Sequence, residues 1–356
     1  MIIAATVTVG TAARKDPATM AIATATHARS GLALSRLGFG SAPIGDLYRR
    51  LDDQTAVDTV LAAVAAGITL VDTAPHYGNG LAEARIGTAL RRTGRDRIVL
   101  STKVGRLMSP SGGPFESRRF AGGLPFRARY DYGYDGTMRS LEHSLLRLGT
   151  DRVEIALIHD VDVWTHGPDA IEGRFAEAMD GAYRALDRLR ADGTVRAIGI
   201  GVNEASMCAR FARAGDFDAM LLAGRYSLLE QGALDDFLPV AADKGIAVLM
   251  GGVFNTGILA TGAVEGAMYN YKPAAPEILE RVRRIEAVCR AHGTELATAA
   301  ARFPLGHPAV ASVVLGAVTP DEVARNVAAF DRPVPEGLWR DLVTEGMLRA
   351  DAPPPA

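Results

Sequence analysis

Residues 70–78 read LVDTAPHYG, from Leu70 to Gly78, and the rest of the chain takes its meaning from them. Residues 68–71 are apolar but for Thr69 and follow Gly67, the pattern of a buried strand entered from a turn. The strand stops on Asp72, and a proline-containing loop then presents His76 and Tyr77. A carboxylate at a strand end with a phenol close behind suits proton handling. Taken alone, the same run equally suits an Asp72 that caps the next turn and a Tyr77 on the rim. The flanking segments separate the two readings.

Outward from this strand, apolar runs alternate with helix-like runs. Strands are expected over 36–41, 68–72, 97–103, 153–159, 195–201, 219–223, 246–250 and 310–316. Each leads to a predicted helix, over 53–66, 82–92, 136–148, 174–191, 205–214, 234–244, 276–292 and 320–329. The strands are apolar on both faces, as buried parallel strands are. Eight such units in about 300 residues predict an α/β protein with a closed (β/α)8 TIM barrel rather than an open sheet. An open doubly wound sheet would carry a G-x-G-x-x-G turn after its first strand. Here Gly38-Phe39-Gly40-Ser41-Ala42-Pro43 places a proline where the helix should open. With no internal repeat and no linker, a single domain is expected over 29–349, between unstructured tails at 1–28 and 350–356. Two additions stand out: a loop of about 30 residues after strand three (104–133), far beyond an ordinary connection, and an extra C-terminal helix near 335–348.

The 356 residues carry a formal net charge of −2 with 22% charged residues, so no basic face advertises nucleic acid. No apolar run reaches the ~18 residues of a membrane span, and the first residues lack the form of a signal peptide. Cys208 and Cys289 lie far apart in helix-like segments, as in a protein of a reduced, cytoplasmic compartment. Lysine is rare: Lys15, Lys103, Lys244 and Lys272 are the only ones among 39 basic residues.

Active sites of such barrels sit at the C-terminal ends of the strands. In order, those ends carry Asp72, Lys103, His159 and, just past strand five, Asn203. Buried charge is costly unless paired or used, so three ionisable groups closing three successive apolar strands point to a catalytic floor. A lysine in a chain that otherwise chooses arginine suggests a need for a compact, titratable ammonium. The alternative is a Lys103–Asp72 pair that only ties two strands together. Asp72 is expected to hold Lys103, and Lys103 to lower the pKa of Tyr77. Tyr77 would then serve as acid or base in a carbonyl–alcohol interconversion, with His159 orienting the substrate oxygen. Asp160 is expected to point away from the centre, since side chains alternate along a strand. Tyr48 after strand one, Phe126 in the long loop, and Trp164 and His166 after strand four are expected to overhang the mouth and meet substrate. The histidines show no metal-ligand spacing, and no metal is expected.

These residues, in VDTAPHYG, LSTKVG and ALIHD, together with the opening RLGFGSAPIG, make the chain resemble the aldo-keto reductase family from about residue 31 to 329. The resemblance implies a barrel that binds NAD(P)H without a Rossmann motif and uses Asp72, Tyr77, Lys103 and His159 as a hydride-transfer tetrad. By position, it implies that Asn203 meets the nicotinamide carboxamide and that Gly252, Phe254, Asn255 and Gly257 border the pyrophosphate. Gly316, Ala317, Val318, Thr319, Glu322 and Asn326 would hold the adenosine end. Two positions depart from the family pattern: Gly251 stands where a tyrosine commonly stacks on the nicotinamide, and Ala223 where a glutamine contacts its carboxamide.

The finer likeness, carried by IGIGVNE and GGVFNTGILATG, is to a bacterial subgroup acting on aldoses or pyridoxal. It implies oxidation of the C1 hydroxyl of an aldose such as L-fucose or D-arabinose to the lactone. Oxidation of pyridoxal and general aldehyde or ketone reduction are the alternatives. Val318 stands where NADP-using members place a base, which implies that NAD is preferred and NADP possible. The implied partner is a sugar or pyridoxal-like small molecule, not nucleic acid or membrane, in a monomer or homodimer. A redox-sensing or partner-binding barrel is the rival from another class, and the complete tetrad argues against it.

Overall fold

Leu70–Asp72 (β2) pairs in parallel with Leu37–Gly40 (β1) on one side and Val99–Val104 (β3) on the other. The round continues through Ile155–His159 (β4), Ala197–Val202 (β5), Ala219–Ala223 (β6), Ala247–Gly251 (β7) and Val310–Gly316 (β8), which returns to β1. The result is a closed eight-stranded parallel barrel, a (β/α)8 TIM barrel. This computed structural model describes residues 22–355 except 114, 116 and 118.

Alternation along the strands divides the apolar residues into two cores. Leu70, Ile155, Leu157 and Leu249 fill the barrel interior, while Val71, Leu100, Ile158 and Ile200 face the surrounding helices. Helix starts are fixed locally: Asp52 accepts from the Thr55 amide at 2.9 Å ahead of Asp53–Ala65, and Thr319 accepts from the Glu322 amide ahead of Pro320–Asp331. Such caps satisfy amides that a helix start leaves unpaired. The described residues add helices that the pattern did not announce, Leu296–Arg302 in the alanine-rich approach to β8 and the single turns Val163–His166 and Ile258–Thr261.

The expected tails divide differently. Residues 1–21 lie outside the described residues, but Thr24–Thr26 forms an antiparallel strand pair with Ala33–Ser35. This pair delivers Leu32 and Leu34 among the first residues of the strands, Ile155, Ala197, Ala219 and Ala247, and so closes the N-terminal end of the barrel. At the other end of the chain, Glu336–Thr344 packs on the helix Pro276–Ala291, with Trp339 against Phe303, on the flank of the barrel. The segment after it, expected to trail freely from residue 350, buries Ala352 and Pro355. Among the described residues, no helix is long and apolar enough to cross a membrane.

The long connection after β3 folds into a hairpin, Arg106–Pro110 against Phe126–Tyr130. Its tip returns across the mouth of the barrel. There main-chain bonds tie it to the loops after β1 and β2, from Tyr48 N to Arg119 O, Ala121 N to Asp46 O and Leu124 N to Gly78 O.

Candidate active site

At the C-terminal ends of β2 and β3, Lys103 is 1% and Asp72 3% exposed. Lys103 Nζ donates to Asp72 Oδ2 at 2.7 Å and to Thr73 O at 2.8 Å, while Ser101 Oγ donates to Asp72 Oδ1 at 2.8 Å. Alternation places Ser101 and Lys103 inward, while Thr102 points outward to Glu83. Gly201 on β5 makes room for the lysine stem, since a Cβ there would lie 3.2 Å from Lys103 Cε.

Above this pair the loop after β2 lowers Tyr77, whose ring centroid lies 5.1 Å from Lys103 Nζ. His159, at the end of β4, meets the Tyr77 ring edge-on at 6.1 Å. The strand ends thus bring the four predicted residues together. The electrostatics differ from expectation in one respect. Burial pushes the Tyr77 phenol up to about 12, and the adjacent Lys103 only partly opposes it. The ammonium itself is held above its ordinary value, because Asp72 and Tyr77 outweigh the cost of burial. Burial keeps both nearby histidines neutral, His76 at about 4 and His159 well below its usual range.

Tyr77, Lys103 and His159 form the floor of a cavity of about 420 Å³ roofed by Phe120 and Arg119 of the hairpin, with Asp72 beneath the floor. Trp164 lines it, in the short helix Val163–His166. Tyr48 stands at the adjoining cleft instead. His166 and Phe126 are not in the lining. His166 is taken up by Tyr132, at 2.9 Å from its hydroxyl, and Phe126 pairs with Pro110 at the far end of the hairpin.

Asp160 corrects the expectation from strand alternation. Its backbone turns into the left-handed region at φ 55, and the carboxylate faces the cavity beside His159 and Arg106. Burial alone would raise that carboxyl, but the Arg106 guanidinium bonded to it holds it below the usual carboxylate range. Arg106, Arg119, Phe120, Tyr130 and Tyr271 also line the cavity and were not singled out from the sequence. All five come from long loops whose folding the strand–helix rhythm does not report. The PHY run already placed His76 in the mouth.

Beside the cavity runs a second cleft of about 330 Å³, and Asn203, Ala223, Leu47 and Tyr271 border both. Its walls include Gly252, Phe254, Gly257 and Gly316. Gly257, at φ 100, has no neighbour within 4 Å of where a Cβ would stand, so a side chain there would project into open space. A glycine-walled cleft that shares a border with the tetrad's cavity suits the phosphate backbone of a dinucleotide.

Asn255 borders the cleft through its backbone, because its side chain is committed to Ser227 Oγ at 2.5 Å and Gly224 O at 3.2 Å. Beyond Gly316, Ala317 is buried and Thr319 caps the helix. Glu322 Oε2 accepts from Val318 N at 2.9 Å, and Asn326 Nδ2 donates to Gly316 O at 3.1 Å. These residues stiffen the turn after β8. Ala223 and Gly251, the two departures, sit side by side in register on β6 and β7.

Many known proteins are similar to this chain. A pyridoxal 4-dehydrogenase of Microbacterium luteolum is 39% identical over 332 residues, covering 90% of this chain and 96% of its own length. A D-threo-aldose 1-dehydrogenase of a Pseudomonas species is 38% identical over 327 residues, with 90% and 97% covered. Among solved structures, a glycerol dehydrogenase of Gluconobacter oxydans superposes with a TM-score of 0.73 at 23% identity, covering 95% of this chain and 98% of that one. The family model described as Aldo/keto reductase family matches residues 36–342. The chain belongs to the aldo/keto reductase family and is an NAD(P)-dependent oxidoreductase.

Proposed function

We propose that this cytoplasmic enzyme oxidises the C1 hydroxyl of a cyclic aldose to the lactone, with NAD as the preferred cofactor. The observation that carries the reading is the buried Asp72–Lys103 pair beneath Tyr77, at the floor of a cavity walled by Arg106, Asp160 and two neutral histidines. Such a wall suits a substrate covered in hydroxyls, because each charged or polar group must find a partner once water leaves. The 38% identical D-threo-aldose 1-dehydrogenase supports the same substrate class.

Asn203, Gly252, Phe254, Gly257 and Gly316 would hold the dinucleotide, with residues 317–326 at its adenosine end. When bound, the oxidised nicotinamide supplies the acceptor for the hydride of C1. In this reading Tyr77 takes the hydroxyl proton, Lys103 stabilises the phenolate formed in the ionised state, and Asp72 keeps Lys103 in place. His159, neutral and buried, fixes the direction of the reacting oxygen.

NAD is favoured because Val318 offers no charge to a 2′-phosphate. In addition, the Glu322 carboxylate folds back to the Val318 amide. Arg325 is 3.9 Å from Glu322 and points along the helix surface, with its side chain 69% exposed.

A second reading, oxidation of pyridoxal, is favoured by the 39% identical relative and by the aromatic side of the cavity, where Trp164 faces Tyr271 at 6.3 Å. A screen at 340 nm with L-fucose, D-arabinose and pyridoxal, each with NAD and NADP, separates the two. Turnover of pyridoxal without turnover of any aldose would replace the first reading by the second.

A further inference from the structure

Asp160 is a buried, charged group in the cavity to which the tetrad gives no task. It adopts φ 55, a conformation that costs a non-glycine residue free energy and persists where surrounding structure enforces it. Its amide still donates to Gly201 O at 2.9 Å, so the barrel ladder runs one residue beyond β4 while the side chain is turned inward. Asp160 Oδ2 is bound by Arg106, whose guanidinium is in turn stacked over Tyr130 at 4.4 Å. The other oxygen, Oδ1, has His159 Nε2 at 3.5 Å and faces the cavity.

Three more polar atoms on this wall are buried without a partner: His76 Nδ1, His159 Nδ1 and Arg106 Nε. Buried polar groups are normally satisfied, so three unpaired nitrogens behind one cavity wall mark that wall as polar and short of partners. An ion pair that served only to clamp the hairpin to β4 would need neither a strained backbone nor a carboxylate oxygen left facing the cavity.

We propose that Asp160, anchored by Arg106, is a specificity-determining residue that binds the hydroxyl next to the reacting carbon, so that the enzyme selects vicinal diols over simple alcohols. This rests on the aldose reading of the same site. With the reacting oxygen directed by His159, the next hydroxyl around the ring falls to Asp160 Oδ1, which stands beside that imidazole. A carboxylate accepting from a hydroxyl forms a charge-assisted bond. A site built around such a bond rejects analogues that lack the hydroxyl, because its own buried group is then left unpaired.

The experiment compares kcat/KM for L-fucose and 2-deoxy-L-fucose in the wild type, Asp160→Asn and Arg106→Gln, with NADH affinity followed by its fluorescence. The wild type is expected to prefer L-fucose by about ten- to hundred-fold, the range of one hydrogen bond to a charged group. In Asp160→Asn the preference falls toward one, through a raised KM for L-fucose, while 2-deoxy-L-fucose and NADH affinity change little. Arg106→Gln narrows the preference in the same direction. A wild type that does not distinguish the two sugars overturns the proposal, and that result needs no variant to fold. An Asp160→Asn variant that loses activity equally on both sugars, or that keeps the full preference, also overturns it and leaves the aldose reading standing. If the wild type oxidises no aldose, the aldose reading fails and this inference fails with it.

Discussion

Replacing Tyr77 with phenylalanine keeps the ring packed against His159 and removes only the ionisable oxygen. Sugar oxidation is expected to slow by roughly two to four orders of magnitude with NADH affinity unchanged; near-normal turnover would place the proton elsewhere. Because burial holds the phenol near 12 and Lys103 is the group pulling it down, oxidation should quicken as pH rises. In Lys103→Met that rise moves to still higher pH, and Lys103→Arg does not restore it, since guanidinium differs in shape and hydration. A pH–rate profile for each variant checks both statements. At this scale the sequence was legible where a rule had no competitor. Asp72, Lys103 and His159 each close an apolar strand, and charge buried at such a place must be paired or put to use. Asp160 was misread because alternation holds only while the backbone stays extended, and at φ 55 it does not. Arg106 was missed because nothing local marks an arginine at the root of a hairpin.

The turn between β8 and the helix Pro320–Asp331 is rigid, with Thr319, Glu322 and Asn326 all bonded within it. A side chain introduced at Val318 should therefore change the charge of the turn without reshaping it. Val318→Arg is expected to raise the ratio of kcat/KM for NADP over NAD by about ten-fold or more, the worth of a charged hydrogen bond to phosphate. Steady-state kinetics with both cofactors test this; an unchanged ratio would direct attention to Arg325. The eight strands and the helix after each were readable from period and polarity, with ends shifted by one or two residues at six of the strands and by none at 219–223 and 310–316. The hairpin after β3 was not. Its second strand, Phe126–Tyr130, alternates half-buried and exposed residues, while its first buries Arg106, Leu107 and Met108 in a row, so the two share no period that marks a hairpin.

The whole molecule carries its buried histidines uncharged. His76 titrates at about 4 when folded against an ordinary 6.5, so the unfolded chain binds more protons through that interval. Stability contributed by this group is therefore full above about pH 6.5 and is lost as pH falls toward 4, on the order of 3 kcal/mol in all. Melting temperatures measured from pH 8 to 4 should fall less steeply in His76→Leu than in the wild type; parallel curves would count against a neutral His76. That barrel closure was predictable and the roof was not follows from the same physics, since closure is a repeated local signal and the roof is a set of single long-range bonds. Those bonds join main-chain groups, at Tyr48, Ala121 and Leu124 on the donor side. Side chains from the neighbouring loops add to them, Arg50 Nε donating to Ala121 O and Asn79 Nδ2 to Phe126 O, again onto main-chain oxygens of the lid. Because these partners on the lid are main-chain oxygens and amides, cavity-facing side chains such as Phe120 can be exchanged without removing them, which makes the lid a surface on which new substrate ranges can evolve without refolding the barrel.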